Sequence, residues 1–185
     1  MVIFFQKNNI IHIKTEKQMK KTIYTLMVVI FITLPSMTTN AQNYSDQAKI
    51  YFAKHLTSKS MIELIAKSLP TLDDCKLVFK GQNAYTYFGV MEEMKSKLSD
   101  ELQKEDETFV DIGIETFSTQ DIEQSKGNYA GGMKNIVDKL QTYVTFYKVE
   151  LLREKGAEMG VAYKYWVNLN GRWVYFPKPY AAFKK

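Results

Sequence analysis

The sequence predicts an α+β fold, with N-terminal helices packed on a curved antiparallel sheet, and three observations predict it. Apolar residues recur at helical spacing after residue 45, as in Ala84, Tyr87, Phe88 and Met91. From Phe109 the apolar period changes to two. Near the end, Asn170-Gly171 stands between alternating apolar runs, the strongest short hairpin signal in the chain. The 185 residues suit one domain. A single cysteine excludes an internal disulfide framework and a four-cysteine zinc site.

A leader precedes the folded part. Lys20 and Lys21 form a basic start, and residues 23–34 carry no charge. That run makes about 18 Å of helix, short of a bilayer core of about 30 Å. Thr39 and Ala41 then satisfy the small-x-small rule, so residues 19–41 read as a signal peptide cut after Ala41. Residues 1–18 read as an upstream extension, with Met19 as the natural start. The expected mature chain, residues 42–185, is a single secreted or periplasmic domain. It has no cysteine at its start for a lipid anchor, and no stable membrane insertion is expected after cleavage.

Losing the leader removes five lysines (7, 14, 17, 20 and 21) and Glu16. The 25 basic and 20 acidic residues then become 20 and 19. No basic stripe is left to release counterions from phosphates, which excludes nucleic acid as a partner.

Ser45-Asp46 opens a first helix with Ala48, Tyr51, Phe52, His55 and Leu56 on one face. Ser60 and Glu63 stand at capping-box spacing and open a second helix, burying Ile62, Ile65 and Leu69 until Pro70. Thr71 with Asp74 begins a third, through Val78 and Phe79. After Gly81, a long helix over residues 84–104 buries Ala84, Tyr87, Phe88, Met91, Met94, Leu98 and Leu102 as core rather than a cofactor box. The acids of residues 100–107 lack the spacing and central glycine of a calcium loop and read as a solvated helix end. Val110, Ile112 and Ile114 alternate with Asp111, Gly113 and Glu115 as a strand with one wet face. Residues 118–128 read as loop and Met133 to Leu140 as a short helix. A meander of three strands follows, at 141–153, 158–168 and 172–177.

Placing Asn170-Gly171 in the turn pairs Leu169 with Arg172, Val167 with Val174, Trp166 with Tyr175 and Tyr165 with Phe176. A two-residue turn at Lys155-Gly156 pairs Leu152 with Met159 and Phe146 with Tyr165. One face then carries Val144, Phe146, Leu152, Met159, Val161, Tyr163, Tyr165, Val167, Val174 and Phe176. The other carries Tyr143, Tyr147, Val149, Leu151, Lys164, Trp166, Trp173 and Tyr175. A sheet with helices on one side needs only one apolar face. The second face is therefore expected to meet the C-terminal tail through Tyr180 and Phe183, a partner chain, or an apolar small ligand. Tyr143, Tyr147, Lys164, Trp166, Trp173 and Tyr175 are the candidate binding residues, and self-association or an envelope protein is the expected partner.

Helices followed by a meander that ends in Asn170-Gly171-Arg172-Trp173 and Phe176-Pro177 resemble the NTF2-like (cystatin-like) superfamily. Pro70-Thr71-Leu72-Asp73-Asp74 ahead of Phe79, and Asn40-Ala41-Gln42 at the leader's end, resemble secreted proteins of Bacteroidota. The resemblance covers residues 45–180 and implies a cone-shaped fold, which hosts isomerases, dehydratases, ligand pockets and assembly modules. The glycine-rich stretch 127–132 departs from it.

Chemistry-bearing residues are sparse. His55 is the one histidine after the leader, and the resemblance implies a His-Asp pair in which it would carry the proton. Asp111 and Glu115 share a strand face about 13 Å apart, too far for a retaining glycosidase pair. Cys75 follows two aspartates, which raise a thiol's pKa. The 127–134 stretch has Met133 where a phosphate-binding loop needs lysine. No metal and no cofactor are expected. The favoured reading is a non-enzymatic binding or assembly module. The alternative is a small lyase or isomerase with His55 as general base.

Overall fold

Helix α1 starts earlier than its sequence signal. In the computed structural model, which describes residues 38–101 and 106–184, α1 runs Thr38–Phe52. The expected upstream extension and the leader up to residue 37 lie outside the described residues. His55 falls beyond the helix rather than on its apolar face, because a turn at residues 53–54 closes with His55 N–H donating to Phe52 O at 2.9 Å.

α2 (Ser58–Lys67) is capped by Thr57, whose hydroxyl accepts from Ser60 N–H at 3.1 Å, so the expected Ser60 cap gives way to one three residues earlier. Met61, Leu64 and Ile65 are its buried residues. Asp106, at the end of the acidic run, accepts Lys59 N–H at 2.8 Å and so tethers the positive end of α2 rather than only meeting water. α3 (Leu72–Val78) carries the expected box, with Thr71 Oγ1 accepting Asp74 N–H and Asp74 Oδ2 accepting Thr71 N–H. α4 (Gln82–Glu101) buries Ala84, Tyr87 and Met91. The side chains of Met94, Leu98 and Leu102 lie outside the described residues.

Four strands form one antiparallel sheet in sequence order: β1 (Asp111–Ser118), β2 (Thr145–Leu152), β3 (Val161–Leu169) and β4 (Arg172–Tyr175). Val110 stays outside β1 and is exposed. The segment expected as loop holds α5 (Thr119–Glu123), started by a second capping box between Ser118 and Asp121. The expected short helix is instead a run of 3-10 turns over Gly131–Lys139, still burying Met133 and Ile136.

The β3–β4 ladder is the expected one, from Leu169↔Arg172 to Trp166↔Tyr175. The β2–β3 ladder differs. Its connection runs over residues 153–160, and Leu151 faces Val161 while Tyr147 faces Trp166. Between these pairs Lys164 and Tyr165 together oppose Lys148, a bulge in which Tyr165 takes φ +75°. The bulge moves Val161 and Tyr163 to the tryptophan face and leaves Tyr165 and Val167 on the other. Met159 lies outside the strand and is exposed.

Each face builds its own core. On one, Phe117, Phe146, Tyr165, Val167, Val174 and Phe176 pack with residues of α3, α4 and the 3-10 run, and Tyr180 and Phe183 lean on this cluster. On the other, Ile112, Tyr147, Val149, Leu151, Trp166 and Trp173 pack with Ala48 and Phe52 of α1 and with Met61, Leu64 and Ile65 of α2. The Phe52 ring stands 4.8 Å from Trp166 and 5.1 Å from Trp173, centroid to centroid. Helices of the chain itself therefore cover the face expected to meet the tail, a partner or a ligand. The tail docks on the opposite face because β4 ends at Tyr175 and the next residue, Phe176, already belongs to that core.

Candidate functional site

Segments at the margins of these two cores meet at one end of the sheet. Tyr44 and Gln47 of α1, Leu77 of α3, residues 142–145 leading into β2, and the β3–β4 hairpin around Asn168–Gly171 wall a cleft of about 600 Å³. The hairpin's shape follows from its sequence. Asn170 (φ +54°) and Gly171 (φ +85°) form the turn, and Asn168 Oδ1 accepts Gly171 N–H at 2.9 Å. The β2 entry is clamped from both sides. Gln141 N–H donates to Val78 O at 2.8 Å, and Thr119 N–H donates to Val144 O at 2.9 Å. Between these anchors Tyr143 is held at φ +70° with its side chain in solvent, 83% exposed.

Among the described residues, the lining contains no carboxylate, imidazole, thiol, ammonium or guanidinium group. Its polar groups are amides, hydroxyls and phenols. Burial and the neighbouring Tyr44 push the Tyr147 phenol above its ordinary range, so it is a neutral hydrogen-bond donor at physiological pH.

The residues singled out for chemistry lie elsewhere, and His55 and the carboxylates among them have partners. His55 Nδ1 meets Ser60 Oγ at 2.8 Å, and its neighbouring charges are Lys54 and Lys67. Burial first, then those two cations, lower its pKa, so the ring is neutral at physiological pH. The acid that a His-Asp proton relay requires is not its hydrogen-bond partner. Cys75 is buried, and desolvation followed by the Asp74 charge pushes its thiol up to about 12, the opposite of an activated nucleophile. Asp111 pairs with Lys49 at 3.6 Å. Glu115 meets the nearly buried Lys148 at 3.1 Å, and Lys148 reaches Glu150 at 2.7 Å. Asn128 and the Gly160 N–H complete that network, leaving each charge compensated. Among the described residues, no group of three His, Cys, Asp or Glu side chains could hold a metal ion.

Of the six expected binding residues, Tyr143 and Tyr147 line the cleft. Trp166 and Trp173 sit inside the core against α1, and Tyr175 packs at the edge of the same cluster. Lys164 occupies the bulge, where its charge helps to lower the pKa of Glu150. The premise of one open aromatic patch on that face therefore fails, since α1 and α2 exclude water from its centre. Tyr44, Gln47, Asn168 and Asn170 escaped the sequence reading. The turn signal at Asn170 was the one available pointer to them. Comparison with family models, with curated proteins and with solved structures finds no match.

Proposed function

We propose that the protein is an exported, non-enzymatic binding module that takes its ligand in the cleft between α1, α3 and the β3–β4 hairpin. The separation of the cleft from the acid–base groups carries this reading. General acid–base catalysis works best with a group whose pKa lies near the operating pH. The described walls supply no carboxylate, imidazole, thiol or ammonium, only amides, hydroxyls and phenols, of which the Tyr147 phenol is pushed further up by burial. The clamped entry of β2 and the cross-bonded hairpin give the site rigid walls, which lowers the ordering cost of binding. The accompanying fold reading is the NTF2-like cone, supported by the helices ahead of the meander and by the bulge that bends β3.

Export rests on the charge-free run after Lys20-Lys21 and on the small residues up to Ala41. Among the described residues no helix is long and apolar enough to cross a membrane. Intact-mass analysis of protein recovered outside the cytoplasm is expected to give an N-terminus at Gln42. Uncut chain retained in the cytoplasm would contradict export.

The binding reading is tested by comparing the chain with its His55→Gln variant in a thermal-shift screen of neutral metabolites and oligosaccharides. Ligands are expected to raise the Tm of both equally and to be recovered chemically unchanged. Turnover of a ligand that vanishes in a stably folded His55→Gln protein would establish the enzymatic alternative instead.

A further inference from the structure

We infer that the cleft recognises a neutral, polyhydroxylated ligand, a saccharide, with Tyr143 as its stacking platform. The inference rests on the binding reading above and names its ligand class.

Charge decides the first step. A phosphate, carboxylate or ammonium ligand would lose water here without meeting an opposite charge, because none is among the described residues that line the cleft. An aliphatic ligand fits poorly for the converse reason. It would cover the Thr142 and Thr145 hydroxyls and the Asn168 and Asn170 amides without returning hydrogen bonds. An extended peptide would dock by adding a strand to a sheet edge. The cleft instead opens at the hairpin turn, and β4 contributes none of its residues to the wall.

A sugar answers each of these features. Its hydroxyls both donate and accept, as do side-chain amides and threonines, while its ring faces present C–H groups that pack on aromatic rings. Asn168 is oriented for this, since its Oδ1 already accepts Gly171 N–H and its Nδ2 hydrogens remain as donors.

Tyr143 supplies the second, independent observation. An aromatic side chain at φ +70° is strained, and such strain persists only where the surroundings enforce it. Here Thr119 does so, its N–H bonding Val144 O and its hydroxyl bonding Gln141 O at 3.1 Å. Burial of the ring cannot be the reason for the strain, because the ring is exposed. A strained backbone that presents an exposed phenol at a cleft is the geometry of a ligand platform, and Tyr provides contact area at low entropy cost.

The test is a two-dimensional NMR titration of the full chain with cellohexaose, maltohexaose and chitohexaose. An oligogalacturonate, an uncharged Gly/Ser/Asn hexapeptide and octanol serve as competitors of other classes. A parallel series uses Tyr143→Asn, because Asn tolerates the left-handed region. At least one neutral oligosaccharide is expected to shift the resonances of Tyr44, Tyr143 and Asn168. In Tyr143→Asn the affinity should fall roughly tenfold or more, while the Tm is equal or higher because strain has been relieved. Shifts at the cleft produced by the peptide, octanol or oligogalacturonate alone would overturn the saccharide assignment and leave the binding reading standing. No shift at the cleft from any probe would overturn both. Saccharide binding unchanged in Tyr143→Asn would overturn the role of Tyr143.

Discussion

Trp166 shows how one residue's burial redirects the functional reading. Its ring is fully enclosed by Phe52, Tyr175 and the rest of the tryptophan-face core, although its sequence neighbours suggest an exposed aromatic patch. Its Nε1 has no hydrogen-bond partner, so the residue contributes through volume and not through a polar contact. Trp166→Ala should therefore cost about 3–5 kcal/mol, with Trp166→Phe much milder and neither changing the oligomeric state. Urea denaturation with sedimentation checks both halves. A dissociated oligomer with unaltered monomer stability would instead restore the interface reading. The adjacent Tyr165 explains why the face assignment was only half legible. Val161, Tyr163, Tyr165 and Val167 alternate without a break in the sequence. The bulge at residues 164–165 still moves the first two to the opposite face from the last two. An unbroken alternation carries no mark of an inserted residue.

At the scale of elements, local capping chemistry was the readable part and long-range clamping was not. The Thr71–Asp74 box stands in the sequence at its required spacing. The ion pair between Asp74 and Arg172 of β4, which ties α3 to the hairpin, has no sequence signal. Burial would raise the Asp74 pKa, but bonds from Arg172 and Thr71 and the Arg172 charge leave it lowered. Glu150 is lowered likewise against its burial, by hydrogen bonds from Lys148 and Gly160 N–H and by the Lys148 and Lys164 charges. Both carboxylates thus add stability above the ordinary range near about 4, and that stability is lost as pH falls through their depressed values. Asp74→Asn should lower stability at pH 7 by about 1–3 kcal/mol and flatten the acid limb of a pH–stability curve. An unchanged acid limb would contradict the role given to Asp74. The β2–β3 connection makes a second element-scale prediction. A Cβ on Gly160 would stand 2.2 Å from Leu151 O, so backbone must move to admit it. Gly160→Ala is expected to destabilise by about 1–3 kcal/mol, measured by urea denaturation.

Across the whole molecule, the order of helices then meander, the hairpin register and the presence of two apolar sheet faces were legible in the sequence. What covers each face was not, because an amphipathic stripe states that a helix is buried and not against which surface. The tail illustrates this: Tyr180 and Phe183 were one of three alternatives for covering the tryptophans and lie against the other core, with Tyr87 of α4 donating to Pro177 O at 3.2 Å where the tail begins. The cleft was the least legible part, because its walls come from α1, α3, the β2 entry and the hairpin, far apart in the chain. The chain covers its own tryptophan face with α1 and α2, and the proposed binding therefore falls to the cleft. The protein contains two tryptophans, and both lie on that face, 0% and 6% exposed. Acrylamide quenching of tryptophan fluorescence on dilute, monomeric full chain tests this most directly. Blue-shifted emission and a quenching constant several-fold below that of free indole are predicted. Red-shifted emission quenched as readily as free indole would show the face open to solvent and contradict its coverage by α1 and α2.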